Sequence, residues 1–309
     1  MERAVNNAHR GRQTKDGIRI YEPSDHAGMH KAGRLAATIL DEIAEHVFPG
    51  QTTGEIDRLI EEIWRILAQR PVRVDHLKAM ITQIAACLYN PAITVSNSRG
   101  ADRLVSALFG PTQASVEDPG LEVYAERLAG MDSQALQQEA NGFARAMHDT
   151  GLVSDYHVTF LLFVLDYSDR ALVPETLGLG TTGLDCWRHY RRLIEDLIRA
   201  GVTLSTPQAI YGLTLMLERG VLHHAPMVPA LERQLQQKVR GSARDRIRMG
   251  FGDLVSPETH VLAGVLQIIG QPLGVGQGAN PTCQSARPIW AWSLVEPDTP
   301  PHPISNTAE

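Results

Sequence analysis

The sequence predicts a mainly α-helical protein, a helical array with a short strand and a helix pair near the N-terminus. Apolar residues recur every three or four positions over most of the chain, and this spacing places them on one face of a helix. Residues that favour helix N-termini precede these segments. Because the connections between the segments are short, we expect neighbouring helices to pack antiparallel, with few strands.

The N-terminal part begins with a polar arm and one alternating segment. Residues 1–17 are polar and basic, without an apolar period, and we expect them to be flexible. The following segment, GIRIYEPS, alternates like a short strand and ends at Ser24, which can cap a helix. Helical periodicity from Met29 to Val47 then predicts one long amphipathic helix that stops before Pro49.

Two further helices are expected in the first third of the chain. Thr52 and Glu55 form a capping box, in which each side chain accepts from the other residue's backbone N–H. The helix that follows carries its apolar face at Ile56, Leu59, Ile60, Ile63 and Ile66. Asp75 favours the start of another helix, which the Asn90-Pro91 pair ends. We expect residues 18–91 to form one helical segment.

The rest of the chain is predicted as a helical domain, residues 92–296, followed by a disordered tail at 297–309. Its first part, 92–120, is rich in Ser, Asn, Gly and Pro around one apolar segment and is expected to be a boundary region. Helical patterns follow at 121–129, 133–148, 154–167, 184–200, 207–219, 228–239 and 257–269. The tail is polar and proline-rich.

Composition narrows the class of protein. The formal net charge of −6 comes from 29 basic and 35 acidic residues that are interspersed, which argues against nucleic acid and anionic membranes as partners. No apolar segment is long enough to span a bilayer, and no signal segment opens the chain. Cys87, Cys186 and Cys283 include no CxxC pair, as a reducing compartment permits. We expect a cytoplasmic protein without a cofactor, which acts on a small-molecule or peptide substrate or binds a protein partner.

Residues 18–60 carry a family resemblance. The helix pattern GMHKAGRLAA, the turn VFPGQTTGEID and the start of the next helix stand in an order and spacing similar to the opening of type I methionine aminopeptidases. In that family, two aspartates, a histidine and two glutamates hold two divalent metals further along the chain, as oxygen-rich ligand sets do. We find no such set beyond residue 66 in the family's order. The resemblance therefore assigns no metal ligand and no catalytic residue.

His26 and His30 form a separate candidate for metal binding. They stand four residues apart on the expected first helix, a spacing that suits a metal. No third ligand accompanies them in the sequence, so we expect two exposed histidines and no metal site. A degenerate metal-dependent aminopeptidase relative is accordingly the third functional hypothesis.

The segment GVGQGANPTCQSAR, residues 274–287, holds the candidate nucleophile. Gln277 stands six residues before Cys283, among glycines at alternate positions. This arrangement resembles the nucleophile loop of papain-like cysteine hydrolases. The resemblance implies that Cys283 is the nucleophile, with its thiolate favoured at a helix N-terminus, and that the Gln277 amide stabilises the developing oxyanion.

The same segment departs from that family's pattern. The family places its base histidine far downstream, whereas only His302 follows Cys283 in this chain. Pro288 falls where a helix begun at Cys283 would need a backbone N–H, and TCQ stands in place of SCW. Because catalytic groups are defined by geometry and not by chain order, the upstream His260 is the nearest candidate for the base. The alternative for Cys283 is a small buried thiol beside a glycine turn.

The predicted function is therefore a thiol-dependent hydrolase or acyltransferase that uses Cys283, Gln277 and His260. The proline-rich ending after the segment SARPIWAW would fit a chain cut short or altered after an ancestral nucleophile helix, so one hypothesis is that the protein keeps Cys283 but has lost its catalytic partner. The alternative is a non-catalytic helical interaction protein.

Two smaller motifs are assigned structural roles. GLGTTG at 178–183 matches the short pattern GxGxxG, but it lacks a preceding strand, so we expect a glycine loop between helices instead of a phosphate site. HDTGLVSDYH at 148–157 gathers two histidines and two aspartates. We interpret it as a helix C-terminus, a glycine turn and the N-cap of the next helix.

Overall fold

The computed structural model describes residues 53–88, 98–117, 120–166 and 171–275. In these parts of the chain all regular structure is helical and no strand occurs, which confirms the predicted mainly α fold. The α-helices are α1 (Thr53–Leu67), α2 (Asp75–Leu88), α3 (Ser98–Phe109), α4 (Gln113–Glu117), α5 (Leu121–Leu128), α6 (Ser133–Thr150), α7 (Asp155–Asp166), α8 (Leu172–Leu177), α9 (Thr181–Gly201), α10 (Ala209–Glu218), α11 (Met227–Gln236), α12 (Gly241–Phe251) and α13 (Pro257–Gly270).

Several predicted elements lie outside the described residues. They are the N-terminal arm, the short strand, the first long helix with His26 and His30, and the C-terminal tail. Within the described segments, no helix combines the length and the hydropathy that crossing a membrane would require.

Helices α1 to α3 enclose a first hydrophobic cluster. Its fully buried residues include Ile60, Ile81 and Leu104, one from each helix. The face predicted for α1 is largely confirmed, but Ile66 is only partly buried and Leu67 joins the cluster. The capping-box helix therefore forms and packs as its apolar spacing requires.

A second, larger cluster lies between α4–α11 and α13. Helices α7 and α10 are apolar on most sides and run through its centre, as expected for helices surrounded by others. Helix α10 packs closely against α13 at Gly212, where an added Cβ would lie 2.5 Å from the Cα of Gln267. An added Cβ on Gly270 would likewise overlap with the backbone of Gly212. Only glycine permits backbones to approach this closely.

The connection between α6 and α7 joins the two clusters. Leu152 of this connection packs into the first cluster. The backbone of Val153 is held on both sides: its N–H donates to Gln208 Oε1 at 2.8 Å, and its carbonyl accepts from Lys78 Nζ at 3.2 Å. Since Lys78 belongs to α2 and Gln208 immediately precedes α10, these bonds fix the two parts of the fold against each other.

A buried carboxylate ties the start of α4 and helix α5 to α6. Glu139 Oε2 accepts from the Thr112 hydroxyl at 2.7 Å and from the Tyr124 hydroxyl at 2.8 Å. All three side chains are buried. Buried polar groups are costly unless they are hydrogen-bonded, so the shared carboxylate orients α5 on α6.

The motif HDTGLVSDYH has the predicted arrangement. Helix α6 ends at Thr150, and Gly151 adopts the left-handed conformation with φ of 74°, as expected for a helix C-cap. Ser154 Oγ then accepts from the His157 backbone N–H at 3.1 Å and caps α7. The prediction of a helix end, a glycine turn and an N-cap is confirmed.

Four helices were not among those predicted. Helices α3 and α4 fall inside 92–120: Gly110 and Pro111 separate the two helices, and the first of them buries Leu104, Val105 and Leu108. Helix α8 contains Pro174, which is tolerated in the first turn, where its missing N–H has no intrahelical partner. Helix α12 has no buried side chain, so it shows no apolar face by which the sequence could reveal it.

Candidate functional site around His260

His260 lies in the first turn of α13. Ser256 caps this helix by accepting from the Thr259 N–H at 3.1 Å, and Pro257 takes the first helical position. Of the three predicted catalytic residues, His260 is the one that the structure describes. Gln277 and Cys283 lie outside the described residues, so their approach to His260 remains a prediction.

The surroundings of the His260 ring favour its neutral form. It stacks on Phe251 at the end of α12, with ring centroids 4.8 Å apart and an interplanar angle of 24°. Burial lowers the pKa of His260, because desolvation disfavours the imidazolium form. Its Nε2 atom is enclosed and has no hydrogen-bond partner among the described residues. A neutral imidazole has an electron pair on one ring nitrogen and a proton on the other, so it can serve as a base.

His260 and Phe251 line a cleft of about 220 Å³. The start of α2, the connection before α10 and the face of α13 from His260 to Gln267 form the remaining walls, which also include Lys78 and Gln208. Pockets for drug-sized ligands usually measure about 300–1,000 Å³. A smaller cleft suits one amino-acid side chain or a short acyl group.

Lys78 supplies a half-buried cation in this cleft. Its Nζ donates to the Val153 carbonyl at 3.2 Å. Burial lowers the pKa of Lys78, and the charges of Asp155 and Asp75 oppose that shift. An ammonium group has three N–H donors, and the contact with Val153 uses one of them.

The chain leaves α13 along the rim of the same cleft. The Gln271 side chain donates to the Arg70 carbonyl at 3.1 Å, and the Val72 N–H donates to the Gly274 carbonyl at 3.1 Å. Val72 also lines the cleft. A Cβ on Gly274 would overlap with the Arg70 carbonyl, so this approach requires glycine. The segment that carries Gln277 and Cys283 therefore starts at the cleft rim.

The two described cysteines lack the surroundings of a nucleophile. Cys87 and Cys186 are both buried and neither forms a disulfide. Burial raises the pKa of Cys186, and the neighbouring Asp185 raises it further. Thiol reactivity depends on the thiolate form and on access, so we expect both cysteines to react slowly.

The glycine motif GLGTTG is a loop between helices, as predicted. Gly178 ends α8 in the left-handed conformation, with φ of 62°, and Gly180 precedes α9. The Gly180 N–H donates to Glu218 Oε1 at 2.6 Å. A helix N-terminus favours an anion, and here the chain supplies its own carboxylate where a phosphate would otherwise bind.

A second polar cluster was missed by sequence reasoning. One oxygen of Asp185 lies 3.5 Å from His189 Nδ1, and the other lies 3.2 Å from His223 Nε2. Helix α9 departs from helical geometry at the adjacent Tyr190, with φ of −121° and ψ of 22°. The spacing of four residues could have predicted that Asp185 and His189 share one helix face. The position of His223 beside them depends on the tertiary fold. In the described segments, no group of three or more His, Cys, Asp or Glu residues is arranged to hold a metal ion.

Comparison with protein-family models, with curated proteins and with solved structures finds no match to this chain. The resemblance of residues 18–60 to type I methionine aminopeptidases falls largely outside the described residues, and it remains a prediction.

Proposed function

We propose that this protein is a thiol-dependent hydrolase or acyltransferase in which Cys283 attacks an acyl carbonyl and His260 serves as the base. The supporting observation is that His260 lines a small cleft and that its Nε2 has no partner among the described residues; burial lowers its pKa and so favours the basic, neutral form. Gln277 would donate to the oxyanion, as the resemblance to papain-like hydrolases implies.

The length of the chain allows Cys283 to reach His260. Cys283 is eight positions after Val275, and these eight steps span up to ~27 Å when extended, at about 3.4 Å per residue. Helix α13 rises ~15 Å from His260 to Gly270, at 1.5 Å per residue. Because the segment starts at the cleft rim, its reach exceeds the distance that it must cover.

The proposed reaction has two steps. The Cys283 thiol gives its proton to His260, Sγ bonds to the acyl carbon, and the carbonyl electron pair moves onto oxygen. When the oxyanion collapses, the bond to the leaving amine or alcohol breaks and His260 returns the proton to that group. Water or another acceptor then attacks the thioester, with His260 again taking a proton, and restores the Cys283 thiol.

Acylation by p-nitrophenyl acetate tests this proposal. We expect a burst of nitrophenolate close to the protein concentration, and an acetyl thioester on Cys283 in the intact-protein mass spectrum. Cys283→Ser should abolish the adduct, and Cys87→Ser should leave it unchanged because Cys87 is buried. His260→Gln should slow acylation about 100-fold, within the range for loss of a general base. Absence of an adduct on Cys283, or equal rates in His260→Gln, would contradict the proposal.

The alternative function is a non-catalytic helical interaction protein. Helix α12 supports it, because no side chain of this helix is buried. Met249 and Leu254, on and just after this helix, are 89% and 93% exposed, and exposed apolar groups mark contact sites when they cluster. A photocrosslinking amino acid at position 249 should then capture one defined protein, whereas the same group at the exposed Gln236 should not. Equal capture at both positions would refute this alternative.

A further inference from the structure

We infer that the cleft beside His260 binds a short ligand that bears a carboxylate, and that Lys78 holds this carboxylate. For the proposed function, the inference names the substrate class as an acyl group with a carboxylate at its far end. In that respect the inference rests on the proposed function. Binding itself does not require Cys283, so the two proposals can be tested separately.

The charges around the cleft are unbalanced. Three charged side chains line it: Arg73, Asp75 and Lys78. Arg73 Nε lies 3.8 Å from Asp75 Oδ2, and about three quarters of each side chain is exposed. Solvent therefore screens this pair strongly. Lys78 is half-buried; the charges of Asp155 and Asp75 act on it, but among the described residues its Nζ contacts the Val153 carbonyl and no carboxylate. The cleft therefore presents a positive charge to a ligand.

The donors of Lys78 are also incompletely used. Among the described residues, the Lys78 ammonium group donates only to the neutral Val153 carbonyl, which leaves N–H donors for a ligand. A partly desolvated cation gains more from an anionic acceptor than from a neutral one, and charge-assisted bonds are about twice as strong as neutral ones. Burial lowers the pKa of Lys78, and the nearby charges of Asp155 and Asp75 oppose this shift; a carboxylate bound directly to Nζ would oppose it further.

Size and position define the rest of the ligand. His260 lines the same cleft, and because burial lowers its pKa, it competes less than a free imidazole would with Lys78 for the carboxylate. A volume of about 220 Å³ suits a chain of a few carbons. A short dicarboxylic acyl group, or an acidic residue of a peptide, has a carboxylate for Lys78 and a second carbonyl for attack.

Binding of glutarate to the full-length protein tests this inference, with the neutral glutaramide as the control ligand. The probe is the His260 ring signal in a ¹³C-histidine NMR spectrum, assigned by comparison with His260→Gln. We expect a saturable shift with glutarate and none with glutaramide. Lys78→Gln keeps a donor for the Val153 carbonyl but removes the charge, and should weaken glutarate binding at least tenfold. Lys238→Gln, at an exposed lysine away from the cleft, should leave binding unchanged.

The possible results separate the two proposals. Equal shifts with glutarate and glutaramide, absence of any shift, or unchanged affinity in a folded Lys78→Gln variant would overturn the carboxylate site. If Lys78→Gln does not fold, the comparison of glutarate with glutaramide on the unsubstituted protein tests whether the cleft requires a carboxylate. Cys283→Ser should bind glutarate normally. Glutarate binding without a thioester on Cys283 would refute the proposed function and leave the carboxylate site intact.

Discussion

Acidification should destabilise the fold through His157, which is fully buried on α7. Its Nε2 lies 3.0 Å from the Thr176 carbonyl at the end of α8, and its ring stacks on Phe143 with centroids 5.1 Å apart. Because a carbonyl oxygen can only accept, this contact selects the neutral tautomer protonated at Nε2. Burial lowers the pKa of His157 from its ordinary 6.5 to about 3.

The magnitude follows from the difference between the folded and unfolded pKa. Below pH 6.5 the unfolded chain binds a proton on His157, whereas the folded protein does not bind one until the pH approaches 3. Between these values the free energy of unfolding therefore falls by about 1.4 kcal/mol for each pH unit. His157 makes no such contribution above pH 6.5, and the loss reaches about 2.7 kcal/mol at pH 4.5.

Urea unfolding followed by circular dichroism between pH 7.5 and 4.5 measures this loss. The matched variant is His157→Gln, whose amide still donates to the Thr176 carbonyl but does not titrate. At pH 7.5 the difference in free energy of unfolding between the two proteins reflects only the packing cost of the substitution. That difference should shift by about 2.7 kcal/mol in favour of the variant by pH 4.5. Parallel loss of stability in both proteins would refute the assignment to His157.

Substitutions at four other positions test the packing of the fold. Gly212→Ala should cost ~1–3 kcal/mol or more, because the new Cβ meets the backbone of α13. The control is Gly264→Ala, whose added Cβ would have no neighbour within 4 Å and which should stabilise α13 by up to ~1 kcal/mol. Similar melting temperatures for the two variants would contradict the tight contact between α10 and α13. Glu218→Gln should lower the free energy of unfolding by ~1 kcal/mol at low salt and by less at about 1 M salt, because the N-terminus of α9 loses a carboxylate. A loss of stability in urea titrations that does not depend on salt would argue against this role of Glu218. Glu139→Leu should cost about 2 kcal/mol or more, because two buried hydroxyls lose their shared acceptor, and Glu139→Gln should cost less. The opposite order in thermal unfolding would contradict that network.

Local signals predicted most of the helices. The apolar spacing that predicts α1 and the Ser256-Pro257 start of α13 are each contained in a short stretch of sequence, and both helices form as expected. The glycine turn at Gly151 was recognisable for the same reason, since a left-handed C-cap favours glycine whatever the rest of the fold. Helix α12 gave no such signal, because none of its side chains is buried.

The candidate site could be predicted only in part. His260 was identified by its closeness to Cys283 in the chain, but its stacking on Phe251 and the cleft that it shares with Lys78 depend on tertiary packing. Lys78 is bound to a carbonyl 75 positions away, and no local pattern encodes such a pair. The carboxylate of Glu218 at the start of α9, 38 positions from Gly180, escaped sequence reasoning for the same reason.

The pH dependence of Cys283 alkylation tests the pairing of Cys283 with His260 most directly. Cys87 and Cys186 are buried, so rapid reaction with iodoacetamide reports Cys283. We predict that the unsubstituted protein reacts with an inflection below the free-thiol pKa of ~8.5. His260→Gln should move this inflection back toward that value and slow labelling at pH 7 at least tenfold. Superimposable pH profiles in the two proteins would contradict the pairing.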